Sequence, residues 1–297
     1  MKRWFAYILS FGITAIAIGG TLYFFMKTPV TDIPLPEYET VDDAVSQTSI
    51  KKKTDSIEPG QDEAEYAKQY HQALQLGDEG RYEEARNILK NMIQTAPHLS
   101  FVSRVQQLLW DINVKLLLSP DLESDWVKYY EIKRGDSVYV IAKKFGTTID
   151  LILEINDIKD GKIYPKQKLK IIPGTFSILI DKSLNQLTLS LDNEVIKVYS
   201  VGTGKDNNTP TGDFKIVNKI KEPTWHTKGK VIPYGNPDNL LGTRWMGFDI
   251  KGYGIHGTWD KDSIGKQSSD GCVRLRNEEV EELFKIVPVG TSTTVVD

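Results

Sequence analysis

The sequence predicts a multidomain chain: an N-terminal transmembrane helix, a small all-α unit, a compact βααβ unit and a mainly-β sandwich or barrel at the C-terminal end. Three observations predict it. An uncharged apolar run covers residues 4–26, apolar residues recur at helical spacing between 61 and 120, and from 175 onward apolar and polar residues alternate between turn signals. The 297 residues leave room for two or three compact domains. With 37 Lys and Arg against 40 Asp and Glu, the chain lacks the basic excess of a nucleic-acid binder that works by neutralising phosphates. A single cysteine, Cys272, rules out an internal disulfide and a Cys-rich zinc cage. It is either an inert buried thiol or a catalytic one.

Residues 1–27 are read as a signal anchor. The apolar run is 23 residues long, enough to span a bilayer as a helix, and is flanked by Lys2, Arg3 and Lys27. Ala15-Ile16-Ala17 looks like a signal-peptide cleavage site, but the run continues through Leu22, Tyr23, Phe24 and Phe25, longer than a typical signal core. The bases before it and the acids after it (Asp32, Glu37, Glu39, Asp42, Asp43) orient the N-terminus to the cytoplasm. The rest of the chain is then expected outside, in the periplasm or cell-wall space. Residues 28–60 carry four prolines, seven acids and three lysines with only scattered apolar residues, and read as an extended tether.

Residues 61–120 follow a helical pattern. Ala64, Ala67, Tyr70, Ala73 and Leu74 mark one apolar face, Gly77 and Gly80 interrupt it, and Tyr82, Ala85, Ile88, Leu89 and Met92 resume it before Pro97. Ala73, Ala85, Leu89 and Pro97 sit at offsets that resemble one tetratricopeptide repeat, which implies a possible protein partner. A plain helical spacer, closed by a third helix near 103–118, fits equally well.

Residues 129–173 read strand, helix, helix, strand. Tyr130-Glu131-Ile132 is a short strand, Gly135-Asp136-Ser137 a turn with a helix cap, and Val138, Ile141, Ala142 and Phe145 a helix face. A second helix covers about 149–155 and ends at Asn156, and 168–172 alternates as a closing strand. This order, with Phe145-Gly146-Thr147-Thr148 and Leu169-Lys170-Ile171, resembles a LysM domain. The resemblance implies binding of N-acetylglucosamine-containing glycans, chiefly peptidoglycan. Val138 stands where the family usually has Leu, and Lys166 where it usually has Gly.

Residues 175–297 carry the chemistry. Cys272 lies in Ser269-Asp270-Gly271-Cys272-Val273-Arg274, and His256 stands sixteen residues earlier in Gly254-Ile255-His256-Gly257-Thr258. A thiol nucleophile needs a base to make it thiolate and a partner that holds the base in one tautomer. Cys and His at strand ends joined by one loop can meet those needs. Gly271 lets backbone N–H groups approach a developing oxyanion, with the Cys272 N–H as a second donor.

His256-Gly257-Thr258, Ser263-Ile264-Gly265 and Ser269-x-Gly271-Cys272-Val273-Arg274, with Gly202-Thr203-Gly204 and Thr209-Pro210-Thr211-Gly212-Asp213-Phe214 upstream, resemble the signature of the YkuD-type L,D-transpeptidases. The resemblance implies Cys272 as nucleophile, His256 as general base and then acid, and the Gly257 carbonyl orienting the imidazole. Gly271 and Cys272 would form the oxyanion hole, and Ser269, Thr258 and Arg274 would contact substrate. It implies attack at the third residue of a peptidoglycan stem, release of D-alanine and a thioester resolved by an amine, with no cofactor and no metal. Water as acceptor would make the enzyme an L,D-carboxypeptidase, and a protein lysine would make it a wall-attachment enzyme. A non-catalytic wall-binding scaffold is the alternative from another class, opposed by the presence of both His256 and Cys272. Sortases also place His before Cys, but the Ser-x-Gly-Cys motif fits them poorly. Asp270 stands where the family often has His and Trp259 where it often has Asn. Nearby, Lys215, Lys219, Lys221, Lys228 and Lys230 suggest a solvated basic face or a surface for an anionic polymer. His71, His98 and His226 are assigned no chemistry.

Overall fold

A computed structural model of the chain describes residues 61–121, 123–227 and 229–297. The expected anchor and tether lie outside the described residues, and among those described no helix is long and apolar enough to cross a membrane. The described residues belong to one compact unit.

Three helices come first: α1 (Gln61–Asp78), α2 (Tyr82–Thr95) and α3 (Val102–Leu118). Gly80, in the left-handed region, turns the chain between the first two. Ala73, Leu76, Ala85, Leu89, Met92, Val105 and Ile112 bury one face of each against the others.

The βααβ unit follows as β1 (Lys128–Glu131), α4 (Val138–Phe145), α5 (Ile149–Ile155) and β2 (Lys168–Ile171), with β1 and β2 antiparallel. Ser137 caps α4 by accepting the Val140 N–H, Gly146 ends it in the left-handed region, and Thr148 caps α5 by accepting the Leu151 N–H at 2.8 Å. Asn156 staples the second helix to the closing strand: its carboxamide exchanges two 2.8 Å hydrogen bonds with the Lys170 backbone.

The rest is a mainly-β near-barrel. In chain order its elements are β3 (Phe176–Asp181), β4 (Gln186–Leu191), β5 (Glu194–Ser200), β6 (Thr203–Gly204), β7 (Gly212–Lys221), β8 (Trp225–Thr227), β9 (Lys230–Ile232), β10 (Arg244–Phe248), β11 (Gly254–Thr258), β12 (Gln267–Ser269), β13 (Val273–Arg276), α6 (Asn277–Ile286) and β14 (Ser292–Val296). Eight strands pair in the order β13-β11-β10-β7-β14-β3-β4-β5. The long β7 joins two halves: its first residues pair with β14 and its later ones with β10. Alternation places Ile178, Ile180, Leu187, Leu189, Ile216, Met246, Ile255, Val273 and Leu275 in one core that α6 closes with Val280, Leu283 and Phe284.

The sequence reads as three folded units in succession; in the structure the helical and βααβ units each keep a core of their own, and each also sends residues into the core of the sheet. Val114, Leu116 and Leu117 of α3 and Leu151 and Ile155 of α5 belong to the same buried cluster as the sheet. Asn113, buried on α3, donates to the Ile196 carbonyl at 3.0 Å and so occupies part of the open edge at β5. Arg86, 5% exposed, pairs with Glu194 at 2.6 Å and Glu83 at 3.2 Å while its guanidinium lies 4.2 Å over the Trp126 ring. Burial would raise the Glu194 carboxyl, but Lys90 and Arg86 together hold it below its ordinary range. Removing Arg86 leaves Glu194 with Lys90 as its remaining cation and Asn113 Oδ1 without its 3.2 Å donor, so Arg86→Ala is expected to cost about 1–3 kcal/mol. Chemical denaturation reads the loss, and an unchanged midpoint and slope would contradict this account of the docking.

The lysine cluster also resolves. Lys219 is largely buried and donates to the Phe284 carbonyl and, at 2.7 Å, to the Val287 carbonyl at the C-terminal end of α6; burial pushes its amine down to about 8. Lys221 pairs with Asp150 of α5 at 2.9 Å, and Lys285 of α6 pairs with Glu154 at 3.0 Å. Two of the five lysines therefore join elements and are not free for a polymer.

Candidate active site

β11 and β13 run parallel, with Ile255 opposite Val273 and His256 opposite Arg274. Ile255, Val273 and Leu275 are fully buried in the core. Strand periodicity then turns His256, Arg274 and Cys272, one residue before β13, to the other face. Residues in register share a face, so His256 and Cys272 are diagonal neighbours on adjacent strands, about 7–8 Å apart at the backbone. A sixteen-residue separation in sequence becomes adjacency through this parallel pairing.

His256 is buried, and its Nδ1 lies 2.6 Å from the Gly257 carbonyl oxygen. A carbonyl only accepts, so Nδ1 carries the proton and Nε2 the lone pair. Burial pushes the imidazole down to about 4; the Gly257 carbonyl opposes this and the Arg274 charge adds to it. The half-buried Cys272 has its Sγ 3.5 Å from the Gly252 carbonyl. Burial pushes the thiol up to about 11 against the pull of the Gly254 backbone and Arg274, and Asp270 reinforces the rise. At neutral pH the resting pair is thus a neutral thiol beside a neutral imidazole. Such a pair can perform acyl transfer if the imidazole takes the thiol proton as the thiol attacks.

Glycines let the surrounding turns close. Gly271 adopts φ +128°, and a Cβ there would come within 2.6 Å of the Tyr253 ring; a Cβ on Gly204 would meet the Gly271 Cα at 3.0 Å. Thr209 accepts the Gly204 N–H at 2.8 Å, and Lys182, itself buried, donates to the Thr209 carbonyl at 3.0 Å. The 202–204 and 209–212 motifs thereby support the turn that carries Cys272.

Residues 175–296 match the L,D-transpeptidase catalytic domain family, YkuD, and residues 130–171 match the LysM domain. YqjB of Bacillus subtilis (strain 168), whose name places it among the L,D-transpeptidases, is 46% identical over 132 residues, covering 42% of this chain and 74% of that protein. YkuD of the same strain, also named as an L,D-transpeptidase, is 35% identical over 174 residues, covering 56% of this chain and 97% of that protein. The chain belongs to the YkuD-type L,D-transpeptidases. A solved L,D-transpeptidase from Mycobacterium smegmatis is 22% identical, with a TM-score of 0.37, over 44% of this chain and 64% of that one. A LysM domain together with this catalytic domain implies peptidoglycan binding.

Within this L,D-transpeptidase, several residues expected at the site have other work. The Gly271 N–H, expected in the oxyanion hole, donates to Ser269 Oγ at 3.0 Å. The Cys272 N–H has no partner among the described residues and keeps that role available. Ser269 is buried and its hydroxyl donates to the Cys272 carbonyl at 2.6 Å, so it shapes the nucleophile turn where substrate contact was expected. Thr258 is likewise buried, with its hydroxyl accepting the Asp260 N–H at 3.1 Å, and closes a turn. Arg274 shares the face of Cys272 and His256, with its Nε buried and unpaired. Asp270 is exposed and lies 3.4 Å from Lys205. His226 sits exposed on the β8–β9 hairpin. Sequence reasoning missed Trp245, whose indole stacks on His256, and Asn277, against which Gly257 and Gly242 pack. Only the alternation of β10 hints at Trp245, and nothing in the sequence ties it to the histidine.

Proposed function

We propose that this L,D-transpeptidase acts outside the cytoplasmic membrane, held there by residues 1–27, and cross-links peptidoglycan stems through a thioester on Cys272. The observation that carries the reading is the shared face of Cys272 and His256, with the His256 Nδ1 proton fixed on Gly257. Nε2 takes the thiol proton as Sγ bonds to the carbonyl carbon of the third stem residue, and the Cys272 N–H faces the resulting oxyanion. The imidazolium returns that proton to the departing D-alanine nitrogen as the C–N bond breaks, leaving the thioester. A neighbouring stem amine then attacks, gives its proton to His256 and releases the thiol.

The 23-residue apolar run and the acidic tether support the anchored location, and the LysM unit would raise the local concentration of polymer. For the helical unit, whose α3 packs into the catalytic core, bracing is the first role we propose; its α1 side is left for a protein partner. Incubating the region from residue 60 onward with disaccharide-tetrapeptide, with products followed by mass spectrometry, tests the reading. A dimer lacking one D-alanine is the expected product. D-alanine release without dimer would replace transpeptidation by L,D-carboxypeptidation, and transfer only to an added protein lysine would replace it by wall attachment.

A further inference from the structure

Trp245 and Asn218 form an arrangement that the reaction as described does not use. Trp245 on β10 is in register with His256 on β11, so their side chains share a face. The indole and imidazole planes lie 20° apart with centroids 6.0 Å apart. The indole is held in turn: its Nε1–H donates to Asn218 Oδ1 on β7 at 3.0 Å. It also lies flat against the sheet. A Cβ on Gly254 would sit 3.0 Å from its Cζ2, and one on Gly247 would sit 2.9 Å from its Nε1. The indole thus crosses both glycines, whose Cβ positions are also closed by the Met246 carbonyl and, at 2.6 Å, the Asn218 carboxamide. Trp245 is half-buried and Asn218 exposed, so the latch sits at the surface of the cleft and contributes nothing to the core.

We propose that Trp245 is a positioning residue for His256, fixing the imidazole plane and keeping water from it, and that Asn218 is the latch that holds the indole in place. The proposal rests on the reading of His256 as base. The hydrogen bond to Gly257 fixes one ring atom, leaving rotation about that contact free; a parallel ring against the imidazole face removes it. The charged group acting on His256 from this face is Arg274 of β13, in register; Asp270, beyond Cys272, acts on the thiol. On the opposite face α6 brings uncharged Asn277 and Val280 against Gly257, and its Glu279 and Glu281 are engaged by Arg276 and Arg244. Trp245 is the uncharged cover on the remaining side. Since burial is what chiefly depresses the imidazole, uncovering the ring raises its pKa toward the ordinary value.

The test compares Trp245→Leu, Trp245→Phe and Asn218→Ala in the full chain, with disaccharide-tetrapeptide as substrate, reading kcat, KM and the acid limb of the pH profile. Trp245→Leu is expected to lower kcat about 10- to 100-fold with KM little changed, as misplacement of a catalytic group does. Its acid limb should move up from about 4 toward the ordinary histidine range. Trp245→Phe keeps a ring but loses the latch, so it should match Asn218→Ala, with a smaller loss of about 3- to 10-fold, and the two combined should add nothing further. In a His256→Ala background, Trp245→Leu should have no additional effect on single-turnover acylation by a p-nitrophenyl ester. A rise in KM at unchanged kcat, an unmoved acid limb, or additivity with His256→Ala would overturn the proposal and leave the base assignment standing. A His256→Ala enzyme with wild-type rates would sink both.

Discussion

Cys272→Ala is expected to abolish dimer formation from disaccharide-tetrapeptide, with turnover falling by at least about 10^4-fold, because the nucleophile placed beside His256 is removed. Folding stability should change by about 1 kcal/mol or less, since the thiol is only half-buried and its weak contact is to one carbonyl. The combination matters. Loss of activity with an unchanged unfolding transition assigns the thiol to chemistry, whereas retained activity would remove the mechanism whatever the transition did. Serine at the same position should recover little, because a hydroxyl is a far weaker nucleophile under the same neutral base.

The second large effect is on pH dependence. With His256 near 4 and the thiol near 11, activity should hold a plateau across the neutral range and fall tenfold per pH unit below about 4, as the imidazole takes up a proton and ceases to act as base. The resting enzyme should show no thiolate absorbance in the ultraviolet until the pH nears 11. An ion pair formed at rest would instead show thiolate absorbance at neutral pH, lost on acidification. Stability should follow the same two groups. Between about 6.5 and 4 the unfolded chain binds a proton at His256 that the folded chain refuses, so stability falls as pH falls through that window. Above about 9 the unfolded thiol ionises before the folded one, so stability falls again as pH rises toward 11. An acid limb near the ordinary histidine value in the wild-type enzyme would contradict the burial described for His256.

Much of the site is legible in the sequence because its chemistry depends on residue types that occur once or in fixed company. Cys272 is the only cysteine, His256 sits on the neighbouring strand, and the glycines at 204 and 271 mark places where backbone must approach backbone. The βααβ unit is legible for a similar reason: Ser137, Gly146 and Thr148 are caps whose roles are local. What could not be read depends on distant contacts. The hydroxyls of Ser269 and Thr258 face their own turns, and sequence spacing does not say which way a hydroxyl points. Asn113 reads as a polar interruption of a helix until β5 is beside it, and Arg86 as a surface charge until Glu194 and Trp126 enclose it. The docking of α3 and α5 onto the sheet's core depends on such pairings, each spanning tens of residues. Trp245 belongs to the same class, since its neighbour on the face is set by register and not by spacing.

The central claim is a covalent acyl group on Cys272. Mixing the enzyme with disaccharide-tetrapeptide in the absence of an acceptor, quenching with acid and measuring intact mass tests it directly. The account predicts one disaccharide-tripeptide acyl group per enzyme, mapped to Cys272 by digestion, with one equivalent of D-alanine released and the adduct discharged when an acceptor amine is added. Cross-linked product forming with no adduct on Cys272 at any quench time, or an adduct mapped to another residue, would contradict it.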